Sequence, residues 1–128
     1  MIFSENYRSL RFRSAFLIYS LILILGSIPH ARAEVGELAS GLVLHGAAYA
    51  VITFLLATGS RRAPSGAALQ AFFIVVVMGA GDEIVQSFFP YRHAAISDWL
   101  VDCTASIITV ALLMLLVRLR RDSPIHNQ

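Results

Sequence analysis

A chain of 128 residues that is 57% hydrophobic and only 14% charged is too apolar for an ordinary soluble domain, and its mean hydropathy of +0.71 points to a bilayer as its solvent. The net charge is +2 and every basic residue is an arginine; no basic stripe alternates with aromatics, so nucleic acid is not an implied partner. The single cysteine, Cys103, lies in an apolar run, forms no internal disulfide and reads as packing.

The first 13 residues form a polar head carrying Arg8, Arg11 and Arg13. An apolar run stopped by Pro29 gives a first span over about 14–29, barely long enough given the roughly 17–25 residues a crossing needs. The same stretch also reads as a secretory signal peptide, with a positive head, an apolar centre and Ala31-Arg32-Ala33 placed for cleavage at Ala33. A polar loop with Glu34 and Glu37 leads to a second span, about 38–58, in which His45, Tyr49 and Thr53 recur every four residues and share one helix face. Residues 59–66, with an arginine pair between glycine and proline, read as a turn. The third span, about 67–89, is rich in Phe and Val and is stopped by Pro90; the fourth, about 97–117, is closed by Arg118, Arg120 and Arg121. The pattern predicts one domain: an all-α integral membrane bundle of four transmembrane helices.

Arginine counting orients it. With both termini cytoplasmic, eight arginines fall on the cytoplasmic side and only Arg32 and Arg92 on the other, as expected of a multi-pass protein of a cell membrane, in particular a bacterial inner membrane. The polar residues between the third and fourth spans then face away from the cytoplasm. At 1.5 Å per residue, His45 lies roughly 10 Å and Glu83 about 9 Å below that surface, so two distant spans carry polar groups at matching depth. Asp98 and Asp102 start the fourth span on a common face, which Ser106 and Thr109 continue inward. Ionisable groups at such depth cost roughly 2.5–3.5 kcal/mol each at a helix centre on insertion scales, so a functional site is the first reading of this polar knot.

The run Asp82-Glu83-Ile84-Val85-Gln86-Ser87-Phe88-Phe89-Pro90-Tyr91-Arg92, followed by Ser97-Asp98, resembles the signature of VanZ-like membrane proteins, in which a Glu-x-x-Gln pair precedes Pro, Arg and an Asp on the fourth helix. His45 and Tyr49 resemble the His-x-x-x-Tyr pair that this family carries on its second helix, and the likeness extends in order and spacing over roughly 15–116. The chain departs from the pattern at Asp102, where Asn is usual, at Ala105, where Gly is usual, and before His45, where no Asp-Lys pair stands. The resemblance implies a small helical membrane protein related to those that accompany resistance to lipid-tailed glycopeptide antibiotics, with no settled catalytic role across the family.

The candidate site residues are His45, Tyr49, Asp82, Glu83, Gln86, Arg92, Ser97, Asp98 and Asp102, and each has a structural reading beside the functional one. Asp82 or Glu83 paired with Arg92 would clasp the third and fourth helices; Gln86 would serve as interhelical glue; His45 and Tyr49 would hydrogen-bond within the bundle. Gly79 and Gly81 would permit close helix approach, and Tyr91 and Trp99 would anchor the chain at the membrane surface. As a site, the knot suits the polar head of an amphiphile, with Arg92 for phosphate or carboxylate and the acids for amine or hydroxyl groups. The partners so implied are membrane lipids, a lipid-linked envelope precursor or a lipid-tailed glycopeptide. An enzyme using Glu83 or Asp98 as acid or base is the alternative, although no nucleophile elbow is evident. A small proton-coupled carrier is another, against which stands the lack of an inverted repeat. No motif implies a cofactor, and a metal site from His45, His93, Asp98 and Asp102 lacks any His-x-x-x-His or Cys-pair spacing.

Overall fold

A computed structural model describes residues 5–28, 41–91 and 94–122 of the chain. One 3-10 turn, Glu5–Tyr7, leads into α1 (Arg8–Gly26), and α2 (Gly41–Gly59), α3 (Pro64–Ser87) and α4 (Ile96–Asp122) follow, with no strand among the described residues. All four helices are long and apolar enough to cross a membrane, which makes this an all-α, multi-pass membrane protein. Helices are the expected solution, because backbone polar groups in hydrocarbon must be satisfied within the chain. The shortest, at 19 residues, measure about 28 Å, close to the thickness of a bilayer core.

The helix ends differ from the hydropathy limits in an instructive way. α1 begins inside the polar head, so that Arg8, Arg11 and Arg13 are helical, and α4 runs past its arginines to Asp122. Hydropathy marks where lipid contact stops, whereas the backbone ladder needs only helical torsions and continues beyond it. Arg120 and Arg121 in the last turn of α4 also complement the negative end of its dipole. α3 starts three residues early, at Pro64, because a proline in the first turn loses an N–H that had no intrahelical acceptor anyway. At its other end α3 stops at Ser87, short of the expected limit and ahead of Pro90.

α2 is the central helix and packs on the other three, while α4 seats against both α2 and α3 and α1 leans mainly on α2. The core between them holds Ala15, Tyr49, Ile52, Leu56, Ala71, Val75 and Met78. Most other apolar side chains point outward, among them Leu17, Phe73 and Val77, as suits contact with lipid tails. Because those tails are as apolar as leucine, close packing and interhelical hydrogen bonds must hold the helices together. Two glycines supply the close packing. A Cβ on Gly59 would stand 2.6 Å from the backbone nitrogen of Phe12, and one on Gly79 would stand 3.0 Å from Trp99 Cδ1 and 3.1 Å from Asp102 Oδ2. The hydrogen bonds include Arg11 Nη2 to the Thr58 carbonyl at 2.8 Å, Tyr19 Oη to the Met78 carbonyl at 3.0 Å and Trp99 Nε1 to the Val76 carbonyl at 3.1 Å.

Candidate functional site

The polar knot forms where the first turns of α2, the last turns of α3 and the first turns of α4 meet at one end of the bundle. On α2, the four-residue spacing of His45, Tyr49 and Thr53 turns all three toward the interior; Tyr49 and Thr53 are fully buried and His45 is partly so. On α3, Asp82 and Gln86 continue the inward row of Ala71, Val75, Met78 and Gly79. On α4, Asp102 and Ser106 are the two buried residues, one turn apart.

His45 and Asp102 form a side-chain pair that joins α2 to α4. Nδ1 of the imidazole lies 3.1 Å from Oδ1 of a carboxylate whose side chain is 0% exposed. When Asp102 is ionised, this hydrogen bond requires the proton on Nδ1. The His45 ring also stacks on Tyr49, with centroids 6.2 Å apart and planes 9° from parallel. Gly79 makes room for this arrangement, since the Asp102 carboxylate occupies the space beside its Cα.

Glu83 has a backbone partner among the described residues. Its Oε2 accepts the Ala95 N–H at 2.6 Å, one residue ahead of α4, so a carboxylate of α3 satisfies an otherwise unpaired donor at the positive end of α4. This is the clasp between α3 and α4 seen among the described residues. Arg92, the partner expected from the sequence, lies outside them, as do His93, Arg32, Ala33, Glu34 and Glu37. Trp99 also acts between helices, through its bond to the Val76 carbonyl; Tyr91 is exposed and donates to the Ser27 carbonyl at 2.6 Å.

Around this frame many polar atoms converge without partners. Among the described residues, Tyr49 Oη, Asp82 Oδ2, Glu83 Oε1, both amide atoms of Gln86, Asp102 Oδ2 and Ser106 Oγ are buried and make no hydrogen bond. Tyr49 lies within electrostatic range of Asp82, Asp102 and Glu83, and His45 within range of Asp82, Asp98 and Asp102. Each buried polar group left unpaired costs about 1–3 kcal/mol, so a concentration of them is a strong departure from ordinary packing. Four carboxylates near one another also produce a negative field that favours a cationic or hydrogen-bond-donating group.

The structure therefore brings together His45, Tyr49, Asp82, Gln86 and Asp102, with Glu83 and Asp98 at the rim. Asp98 is half-buried, and Ser97 is exposed on the first turn of α4, where its Oγ reaches only Asp98 Oδ1 at 3.5 Å. Ser106 belongs in the site more fully than Ser97 does; its position one turn below Asp102 is the signal that finds it. Tyr19, from α1, is a structural neighbour that the sequence did not mark: its hydroxyl lies 2.7 Å from where a Cβ on Gly81 would be. Among the described residues no group of His, Cys, Asp and Glu side chains is arranged to hold a metal ion. No family model matches the chain, and no curated protein or solved structure matches it.

Proposed function

We propose that the knot binds the polar head of an amphiphilic component of the cell envelope, with the molecule's tail in the surrounding lipid. The observation that carries this reading is the convergence of seven buried, unpartnered side-chain oxygen and nitrogen atoms from three helices. Carboxylates with free lone pairs suit amine and hydroxyl donors, and the amide of Gln86 offers both a donor and an acceptor. The arginine bias supports an orientation in which the knot opens away from the cytoplasm with both termini inside, at the level of the outer-leaflet headgroups. The sequence resemblance to VanZ-like proteins supports a lipid-linked envelope precursor or a lipid-tailed glycopeptide as the amphiphile, and a bacterial inner membrane as the setting.

Expression in a susceptible single-membrane bacterium tests this. Tolerance to a lipid-tailed glycopeptide should rise more than tolerance to its tail-less counterpart, and Asp82→Asn or Asp98→Asn should abolish the gain at unchanged abundance. Full protection by both variants would overturn the reading.

The pairing of Asp102 with His45 favours a second reading. A carboxylate that orients an imidazole is the arrangement of a general base, which would make the knot a membrane-embedded acid–base site. Lipid and metabolite analysis of the purified protein separates the two, since a retained amphiphile supports binding and an altered one supports catalysis.

A further inference from the structure

At the end of the bundle opposite the knot, a cavity of about 200 Å³ is walled by the ends of all four helices and by the turn between α2 and α3. Its polar wall is cationic: Arg8, Arg11 and Arg62 line it, and among the described residues no acidic side chain does. Arg11 is 8% exposed and fixed through its bonds to the Thr58 carbonyl, so its charge is held at the wall. Arg8 pairs at 2.8 Å with Glu5, whose side chain is 75% exposed, a solvent-facing contact of small energy that an anion can replace.

A second cavity adjoins the first. It is an open groove between α3 and α4 with almost wholly apolar walls, including Leu69, Phe72 and Val110, and Ala68 and Met114 line both spaces. A cationic pocket beside an apolar interhelical groove, the two sharing Ala68 and Met114, matches one chemistry, an anionic head joined to an acyl chain.

We propose that this end of the protein is a binding site for an anionic diacyl phospholipid, with the phosphodiester among Arg8, Arg11 and Arg62 and one acyl chain along the groove past Ala68 and Met114. The site is separate from the knot, does not depend on the function proposed there and occupies the opposite face of the bundle.

The test uses the full chain in zwitterionic detergent, with phosphatidylglycerol, phosphatidylcholine of the same acyl chains, and glycerol phosphate as probes. Binding is read by native mass spectrometry and by thermal unfolding. Phosphatidylglycerol should bind about tenfold more tightly than phosphatidylcholine, as expected for one or two added arginine contacts, and the preference should fall as salt is raised. Arg8→Gln with Arg62→Gln should reduce the preference to about twofold or less, whereas Arg121→Gln, on the exposed last turn of α4, should leave it intact. Ala68→Trp, which fills the junction, should remove phosphatidylglycerol binding; if that variant does not fold, Val110→Trp farther along the groove serves instead. Equal binding of the two lipids would overturn the proposal. So would glycerol phosphate displacing phosphatidylglycerol at equal concentration, an Arg121→Gln effect as large as that of the double variant, or a dimer forming on this face in place of lipid.

Discussion

The two ends of the bundle hold their charged groups by different means. At the arginine end, Arg11 donates to the Thr58 carbonyl, Arg8 pairs with Glu5, and the Ser60 hydroxyl donates to Gln70 Oε1 at 2.7 Å. Gly59 there lets the backbones of α1 and α2 nearly touch. At the knot end, His45 with Asp102 and one oxygen of Glu83 are engaged, while among the described residues seven other buried side-chain atoms from α2, α3 and α4 are not. Polar groups at the first end are engaged with a backbone carbonyl or with one another, and those at the second retain hydrogen-bonding capacity. Buried polar groups in a fold are ordinarily paired, so the capacity left over in the knot is what distinguishes it from the arginine end.

The sharpest way to break the comparison is to unmake the His45–Asp102 pair of the knot. His45→Leu leaves the Asp102 carboxylate buried without its partner and should destabilise the protein by about 3–5 kcal/mol, read by thermal unfolding in detergent. His45→Leu combined with Asp102→Leu should recover most of that loss while abolishing the activity of the site. A double variant as unstable as the single one would mean that the pair is an integral brace like those of the other end.

At the arginine end the corresponding change is steric. Gly59→Ala places a Cβ 2.6 Å from the backbone nitrogen of Phe12 and 2.9 Å from the Arg8 carbonyl, and neither can swing aside as a side chain does. A loss of about 1–3 kcal/mol is expected, as for other overpacked contacts. Gly81→Ala meets only the Tyr19 hydroxyl, the far end of a movable ring, and should cost less. Equal effects from the two alanines would show that the tight contact of α1 with α2 is not what holds the arginine end.

How far the sequence could be read follows the same division. Periodicity fixes which residues share a helix face, and rise per residue fixes their depth, so the four helices and the convergence of His45, Tyr49, Asp82, Gln86 and Asp102 were legible. Neither quantity says which of several acids at one level takes a given partner. The expected pairing of Asp82 or Glu83 with Arg92 lies outside the described residues; within them Glu83 takes the Ala95 N–H and His45 takes Asp102, choices set by helix rotation and by the space beside Gly79. The inward turn of Arg11 was hidden for another reason. Charge near a terminus reads as a solvated head, and the acceptor that draws it in, the Thr58 carbonyl, is a backbone atom with no sequence signature.

Glu83 offers a smaller test, at the border between brace and site. Glu83→Gln keeps an acceptor for the Ala95 N–H but removes the negative charge facing the start of α4, so about 0.3–1 kcal/mol of stability should be lost. Glu83→Ala removes the acceptor as well and should cost about 1.5–3 kcal/mol, the range for hydrogen bonds to charged groups. Hydrogen exchange at the first turn of α4 should increase in the second variant. Unchanged exchange there would show that the Ala95 contact does not fasten the helix.

The smallest expected effect has the most informative sign. Ser106 is fully buried, one turn below Asp102, and its hydroxyl makes no hydrogen bond. If that hydroxyl were part of a brace, Ser106→Ala would destabilise the bundle, as loss of any satisfied contact does. If it is held in readiness for a ligand, the alanine removes an unsatisfied group and should raise stability in detergent by a few tenths of a kcal/mol to about 1 kcal/mol, while weakening whatever the knot binds. Ser97→Ala is the companion measurement, because Ser97 is exposed and should change neither quantity. Greater stability joined to lost protection in Ser106→Ala, with Ser97→Ala silent in both, identifies a site whose polarity is retained at the expense of the fold. Lower stability in Ser106→Ala would place its hydroxyl among the structural contacts and remove it from the proposed site.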